Sequence, residues 1–286
     1  MKRCFLFLSL VTLFAVPCLA SRTLTDEVGR RVVVPDHPHR IICLMPSVTD
    51  TVYALGAGDD VVAISDYTKY PAAAQKKPSV GDLIHPSIET IVSLHPDLVI
   101  GYQPRGPLEV TDQLDRIGIP IFLVSPHGIA GIMHSVDTIG QALNRMPQAD
   151  ALTHSLQLRV DAVKARTNGL PAPRVFMPIW YDPITTIGKN AFITEVIEAA
   201  GGRSVTDDMS AEWPQVSMEV VLQRAPEALV IVRGGKMTFQ VLESRPGWGS
   251  MAAIQQHRVY YIDDRINFAS PVAIDALEDL AKQFHP

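Results

Sequence analysis

The chain is poor in cysteine. Three occur among its 286 residues, at positions 4, 18 and 43, and the first two fall in an apolar opening segment. The remainder therefore holds Cys43 alone and cannot close an internal disulfide, so folding must rest on buried apolar area, and no cysteine pair offers a zinc site. Cys43 stands inside Arg40-Ile41-Ile42-Cys43-Leu44-Met45. It reads as a small buried hydrophobe, since a reactive thiol would need an exposed, electropositive setting. Basic excess is missing too. The formal net charge is −5 and no basic run stands out, which counts against nucleic-acid and anionic-membrane partners. After the opening segment no apolar run is long enough to cross a membrane. Catalytic signatures are equally scarce. There is no Gly-x-Ser-x-Gly elbow and no His-Glu-x-x-His, and Gly56-Ala57-Gly58 lacks the following glycine of a phosphate loop. Ser47, Asp50 and His85 stand without such a frame, so an exported hydrolase is kept only as an alternative from a different class.

What is present begins at the amino terminus. Met1-Lys2-Arg3 precedes an apolar stretch from Cys4 to Val16, and Cys18-Leu19-Ala20 follows. A charged start, a short apolar centre and a small residue predict a signal peptide over 1–20, cleaved after Ala20, and a mature chain exported to the periplasm. Lipid attachment at Cys18 is the rival reading, and Pro17 before it fits a lipoprotein signal poorly. The roughly 265 residues that remain suffice for one large domain or two lobes.

Along the mature chain, strand and helix signals alternate. Thr23 to Val34 reads as extended around Gly29. Ile41 to Leu44 is continuously apolar, as a strand buried on both faces would be. Val48 to Leu55 predicts a helix stopped by Gly56, and Val61 to Ile64 a strand. Ser87 to Leu94 predicts a helix with Ser87 as N-cap and Glu89 in the first turn, ended by Pro96. A strand at Leu98 to Gly101, a helix at Leu108 to Ile117 and a strand at Ile121 to Val124 follow. This rhythm argues a parallel or mostly parallel sheet covered by helices.

From Ile129 to Thr167 the strand signal stops. Pro147 can open a helix, with Met146 displaced from helical geometry. Ala149, Leu152, Leu156, Val160 and Val163 then form one apolar stripe, and Gly169 terminates it. Such a helix spans about 30 Å, the length of a small lobe. Strands at Val175 to Met177, Leu229 to Val232 and Val259 to Ile262 then alternate with helices at Glu195 to Ala200, Ser217 to Arg224 and Pro271 to Phe284.

The two halves echo each other. The stretch from Ser87 to Ile100 is repeated from Ser217 onward, with Glu two after Ser and Pro seven after Glu in both copies. Thr49-Asp50 before Ala54-Leu55-Gly56 is matched by Thr194-Glu195 before Ala199-Ala200-Gly201. Self-similarity at half the chain length points to two related lobes with a cleft between them.

Together the run from Arg40 to Asp50, Ala54-Leu55-Gly56, Asp66-Tyr67 through Tyr70-Pro71, Val80-Gly81, and Glu89 through Pro96-Asp97-Leu98-Val99 resemble the helical-backbone substrate-binding proteins of ABC importers. Those proteins bind vitamin B12, haem or ferric siderophores. Within them, Trp213-Pro214-Gln215-Val216-Ser217 and Ala269-Ser270-Pro271 look most like the periplasmic cobalamin-binding type. The similarity covers nearly the whole mature chain. It implies an α/β fold of two Rossmann-like lobes with mostly parallel sheets, 21–143 and 170–286, joined by one long helix within 144–169. It also implies capture of cobalamin or another corrinoid between the lobes, with haem or a ferric siderophore as the alternative. It further implies a monomer without enzymatic activity, a resident metal or a resident cofactor, which delivers its ligand to an ABC permease dimer. One surface glutamate per lobe would meet permease arginines, and the matching positions here are Glu89 and Glu219. Two departures from the cobalamin pattern stand out: no aromatic near Leu83, and Val272 where an arginine often follows the last Ser-Pro.

Candidate ligand contacts are the loop aromatics Tyr67, Tyr70, Trp180, Tyr181, Trp213 and Phe268. In open α/β sheets ligands bind beyond the carboxyl ends of strands, and flat aromatic walls suit a planar macrocycle. Trp213 and Tyr70 carry the strongest family match. Ser47, His85 and Arg105 complete the set. Arg105 or Arg265 could meet an anionic siderophore, His85 or His127 could ligate haem iron, and so could Tyr70 as phenolate.

Overall fold

A computed structural model describes residues 20–82, 85–103 and 109–286. The predicted signal peptide up to residue 19, Leu83 and Arg105 lie outside the described residues. The extended start becomes a hairpin: β1 (Ser21–Thr25) pairs antiparallel with β2 (Arg31–Pro35). The continuous apolar runs become parallel strands. The first lobe runs β3 (Ile41–Cys43), α1 (Pro46–Ala54), β4 (Val61–Ile64), α2 (Ile88–Ser93), β5 (Leu98–Tyr102), α3 (Glu109–Arg116) and β6 (Ile121–Val124). Its sheet has the order β4-β3-β5-β6, all parallel, with Ile41 opposite Leu98 and Val99 opposite Ile121. Both faces are covered. Leu98 and Ile100 point into a core facing the middle of the molecule, while Val99 joins Ile91 of α2 and Leu114 of α3 in an outer core. That two-sided burial is why these strands read as unbroken apolar runs rather than alternating ones.

Next come α4 (Gly128–Ala142) and α5 (Met146–Thr167). At 22 residues α5 is about 33 Å long. It begins at Met146, one residue earlier than the proline rule predicts. Arg145 is the N-cap, and its carbonyl accepts from the Ala149 amide at 3.0 Å, which holds that first turn. The second lobe runs β7 (Arg174–Phe176), β8 (Pro178–Tyr181), β9 (Ile184–Thr186), α6 (Phe192–Ala199), β10 (Arg203–Ser204), α7 (Met218–Gln223), β11 (Ala228–Val232), α8 (Phe239–Glu243), α9 (Ala252–Gln255), β12 (Val259–Ile262) and α10 (Ala273–Phe284). Its sheet, β10-β7-β11-β12, is again parallel, and β8 with β9 forms a separate antiparallel hairpin that the sequence pattern does not announce.

The lobes share more than one connecting helix. Val48 and Val52 of α1, Ile132 and Val136 of α4, Leu156 and Val160 of α5, Ile193 and Val196 of α6, and Ile274 and Leu277 of α10 belong to one continuous core with inward residues of both sheets. A helical layer thus lies between the two sheets. Arg159 of α5 ties this layer together, reaching Glu278 at 2.8 Å and Asp275 at 2.6 Å on α10.

Candidate functional site

The sequence echo is a structural repeat. Ser87 Oγ accepts from the Thr90 amide at 3.2 Å and Ser217 Oγ from the Val220 amide at 3.3 Å, so the two short helices start alike. Both end in a left-handed residue, His95 with φ 47° and Ala225 with φ 43°. Each is followed by a carboxylate that pins the start of the neighbouring strand. Asp97 accepts from the Arg40 amide at 3.0 Å, and Glu227 from the Arg174 amide at 3.0 Å. Glu89 and Glu219, the second residues of these helices, are both exposed.

Beyond the carboxyl ends of the strands the lobes enclose a cavity of about 550 Å³. The first lobe contributes Met45 and Ser47 at the start of α1, Tyr102 at the end of β5, and Pro126, His127 and Gly128 leading into α4. The second contributes Asn190, Phe192, Glu212, Trp213, Asn267, Phe268 and Ala269. This is where α/β sheets place their ligands.

The Glu212–Trp213 wall is strapped to the β8–β9 hairpin. Gly188 N donates to Glu212 O at 2.9 Å, Thr186 N to Pro214 O at 3.0 Å and Val216 N to Ile184 O at 3.0 Å. The strap passes so near Gly188 that a Cβ there would lie 1.9 Å from the Ala211 carbonyl oxygen. Trp213 remains 42% exposed on this fixed backbone, an aromatic face ready for contact. On the opposite wall His127 Nδ1 sits 2.6 Å from Ser125 O. A carbonyl only accepts, so Nδ1 is the donor in this contact. Tyr102 is a proton donor here, its phenol pushed up by burial and then by the nearby Glu212 charge. Among the described lining residues none is Lys or Arg.

Of the sequence candidates, Ser47, Trp213 and Phe268 line this cavity. Tyr67 and Tyr70 do not. They line a small recess at the lobe junction with Asp50, Lys69, Asp264, Arg265 and Phe268. There the Arg265 guanidinium lies 5.0 Å from the Tyr70 ring centre and Lys69 Nζ is 2.9 Å from Asp264, so these contacts bind lobe to lobe. Trp180 and Tyr181 are likewise placed elsewhere. They stack on each other at 5.1 Å, Trp180 Nε1 donates to Asp182 O at 2.9 Å, and the Arg245 guanidinium covers Tyr181 at 3.7 Å. Tyr181 is thus flanked by Trp180 and Arg245, while Trp180 remains exposed outside the cavity lining. His85 sits exposed on a turn with Nδ1 3.8 Å from the Asp82 carboxylate, away from the cavity lining. Lining residues that sequence reasoning did not select include Tyr102, Asn190, Phe192, Glu212 and Asn267; Tyr102 closes a predicted strand and Glu212 precedes Trp213, which are the only local signals they carry.

Two further carboxylates reach across from one lobe to the other, and they are the pair in the second sequence echo. Asp50 of α1 accepts from Ser270 Oγ at 3.2 Å, just ahead of α10. Glu195 of α6 accepts from the Ile129 amide at 2.9 Å and so caps α4. Each lobe thus extends an acidic side chain to the start of a helix that follows the last strand of the other lobe's sheet.

Two parallel-sheet lobes around a shared helical layer, with a cavity where both sets of strands end, define a two-lobed small-ligand binding protein. The chain belongs to the periplasmic binding protein family, whose model matches residues 41–266. An uncharacterised ABC transporter substrate-binding lipoprotein of Bacillus subtilis (strain 168) is 30% identical over 92% of this chain and 85% of its own length. A vitamin B12-binding protein of Yersinia pestis (strain Pestoides F) is 33% identical over 67% of this chain and 69% of its own. Among solved structures, the apo periplasmic heme-binding protein of Roseiflexus sp. RS-1 superposes with a TM-score of 0.80 at 26% identity, covering 86% of this chain and 98% of that one. At the family level these are substrate-binding parts of transporters, not enzymes. No described helix is long and apolar enough to cross a membrane.

Proposed function

We propose that the protein is an exported, periplasmic receptor that captures cobalamin or another corrinoid between its lobes and hands it to an ABC importer. The observation that carries this reading is the inter-lobe cavity walled by Trp213, Phe268, Phe192 and Tyr102 from both lobes. Aromatic walls suit a flat metal macrocycle, and a ligand held by both lobes reports its presence to both. The exposed Glu89 and Glu219, one per lobe on matching helices, are the proposed contacts with the two permease subunits. Exposed ion pairs add little affinity but guide orientation and encounter, which suits a docking step that must reverse.

The test is a tryptophan-fluorescence titration of the chain from residue 21 with cyanocobalamin, haemin and a ferric hydroxamate siderophore, corrected for ligand absorption. Saturable binding of cyanocobalamin is expected. Trp213→Ala should weaken it roughly ten- to a hundredfold. Absence of cyanocobalamin binding would remove the corrinoid assignment.

One observation favours a second reading, haem. The His127 ring lines the cavity with Nδ1 held by the Ser125 carbonyl, the arrangement that readies Nε2 for a metal. If haem is the ligand, haemin binds with a shifted Soret band and His127→Ala abolishes the shift.

A further inference from the structure

We infer that the Glu212 carboxylate is the charge filter of the cleft. It admits chelates whose facing edge offers N–H donors or positive charge and opposes those that present carboxylates. The inference rests on the metal-macrocycle reading above and narrows it to corrinoids that are neutral or cationic.

Glu212 is half-buried in the cavity wall, and its backbone is held in place by the Gly188 amide at 2.9 Å. The carboxylates around the lobe junction are engaged: Asp50 with Ser270 at 3.2 Å, Glu195 with the Ile129 amide at 2.9 Å, Asp263 with Arg265 at 2.9 Å, and Asp264 with Lys69 at 2.9 Å. Glu212 makes no ion pair or side-chain hydrogen bond with any described residue. What faces the same space is the Tyr102 phenol, raised by burial and by Glu212 itself, and the His127 imidazole. No described lining residue balances the charge.

A ligand that fills the cavity strips water from this carboxylate. The ligand must then supply the lost hydrogen bonds, because a buried charge left without partners is costly. A corrin rim carries primary amides, which donate. A haem edge carries two propionates, which would meet a like charge in a medium where such repulsion is stronger than in water. Selectivity of this kind comes from repelling the wrong ligand as much as from attracting the right one.

The test uses the mature chain and three probes: cyanocobalamin, which is neutral; aquacobalamin, cationic while its aqua ligand stays protonated; and haemin. Dissociation constants are measured for the unaltered protein, Glu212→Gln and Glu212→Lys. In Glu212→Gln, aquacobalamin should lose roughly three- to tenfold relative to cyanocobalamin, and haemin should gain by a similar factor. Glu212→Lys should extend both trends. Equal shifts for all three probes, or none, would overturn the filter and leave Glu212 as a structural residue. If the unaltered protein binds neither corrinoid, the corrinoid assignment falls separately. The haemin comparison then decides the filter: a gain in Glu212→Gln keeps it, and an unchanged constant removes it.

Discussion

At the scale of single residues, Asp50 shows how place overrides type. It is buried against the opposite lobe, and burial pushes its carboxyl up to about 6, against the lowering effects of the Ser270 hydroxyl and Arg265. Because the folded value lies above the unfolded one, the folded state holds the proton more tightly. Stability from this group is greatest at low pH and falls as pH rises from about 4 to about 6. Asp50→Asn should therefore stabilise the protein at neutral pH by on the order of 2–3 kcal/mol and remove that slope. Urea denaturation of both proteins across this range checks it; parallel stability curves would show that the carboxyl is not held in a dry site. Cys43 is the opposite case. Its apolar neighbours in sequence foretold burial, and burial pushes the thiol up to about 12. Tyr181 could not be read that way, since the Arg245 guanidinium that covers it lies 64 positions along the chain.

At the scale of elements, the matched carboxylates Asp50 and Glu195 do reciprocal work. Glu195 places a negative charge on the start of α4, where the exposed amides and the helix dipole favour it. Glu195→Ala should cost about 1 kcal/mol, the usual worth of a lost N-terminal cap, seen as a lower urea midpoint. Gly128→Ala should cost more. Its φ is 68°, and a Cβ would stand 2.1 Å from Glu195 Oε2. Adding Glu195→Ala to Gly128→Ala should recover the part due to the clash and leave the part due to the backbone. Full additivity would mean the two groups do not meet. The α2 and α7 helices were legible from sequence in their limits, and α2 in its Ser87 cap as well, because Ser, Glu and Pro act within a few residues. The β8–β9 hairpin was not, because its strands are short and its backbone partners include the distant segment around Pro214.

At the scale of the whole molecule, the helical layer decides how far the lobes can move. Opening the cleft by hinge bending would separate α4 from α6 and expose Ile132, Val136, Val196 and Ile197, each worth roughly 1.5–3 kcal/mol when buried. Ligand capture should thus proceed with small changes between packed lobes rather than wide closure. The docking proposal belongs to this scale as well. Glu89→Lys combined with Glu219→Lys should leave the ligand dissociation constant within about twofold, since neither side chain lines the cavity, while uptake by cells falls severely. Undiminished uptake would remove the two glutamates from the docking surface.

Much of the fold was written locally. Parallel strands buried on both faces leave continuous apolar runs, capped helices leave Ser, Glu, Pro and Gly at set distances, and a duplicated lobe leaves its pattern twice. Those signals set the alternation of elements and the long helix; Trp213 was singled out by the family resemblance and Phe268 as a loop aromatic. The cavity wall was settled only in three dimensions. Which aromatics face the cleft depends on where distant segments put them: Arg245 covers Tyr181, Tyr70 lies beside Arg265 in the lobe-junction recess, and Trp213 stands in the cavity wall on its strap. Glu212 and Asp50 look alike as acidic residues in a sequence. One faces a cavity with no ion-pair partner among the described residues and the other is buried against the opposing lobe, because burial and charge pairing are set by contacts between segments far apart in the chain.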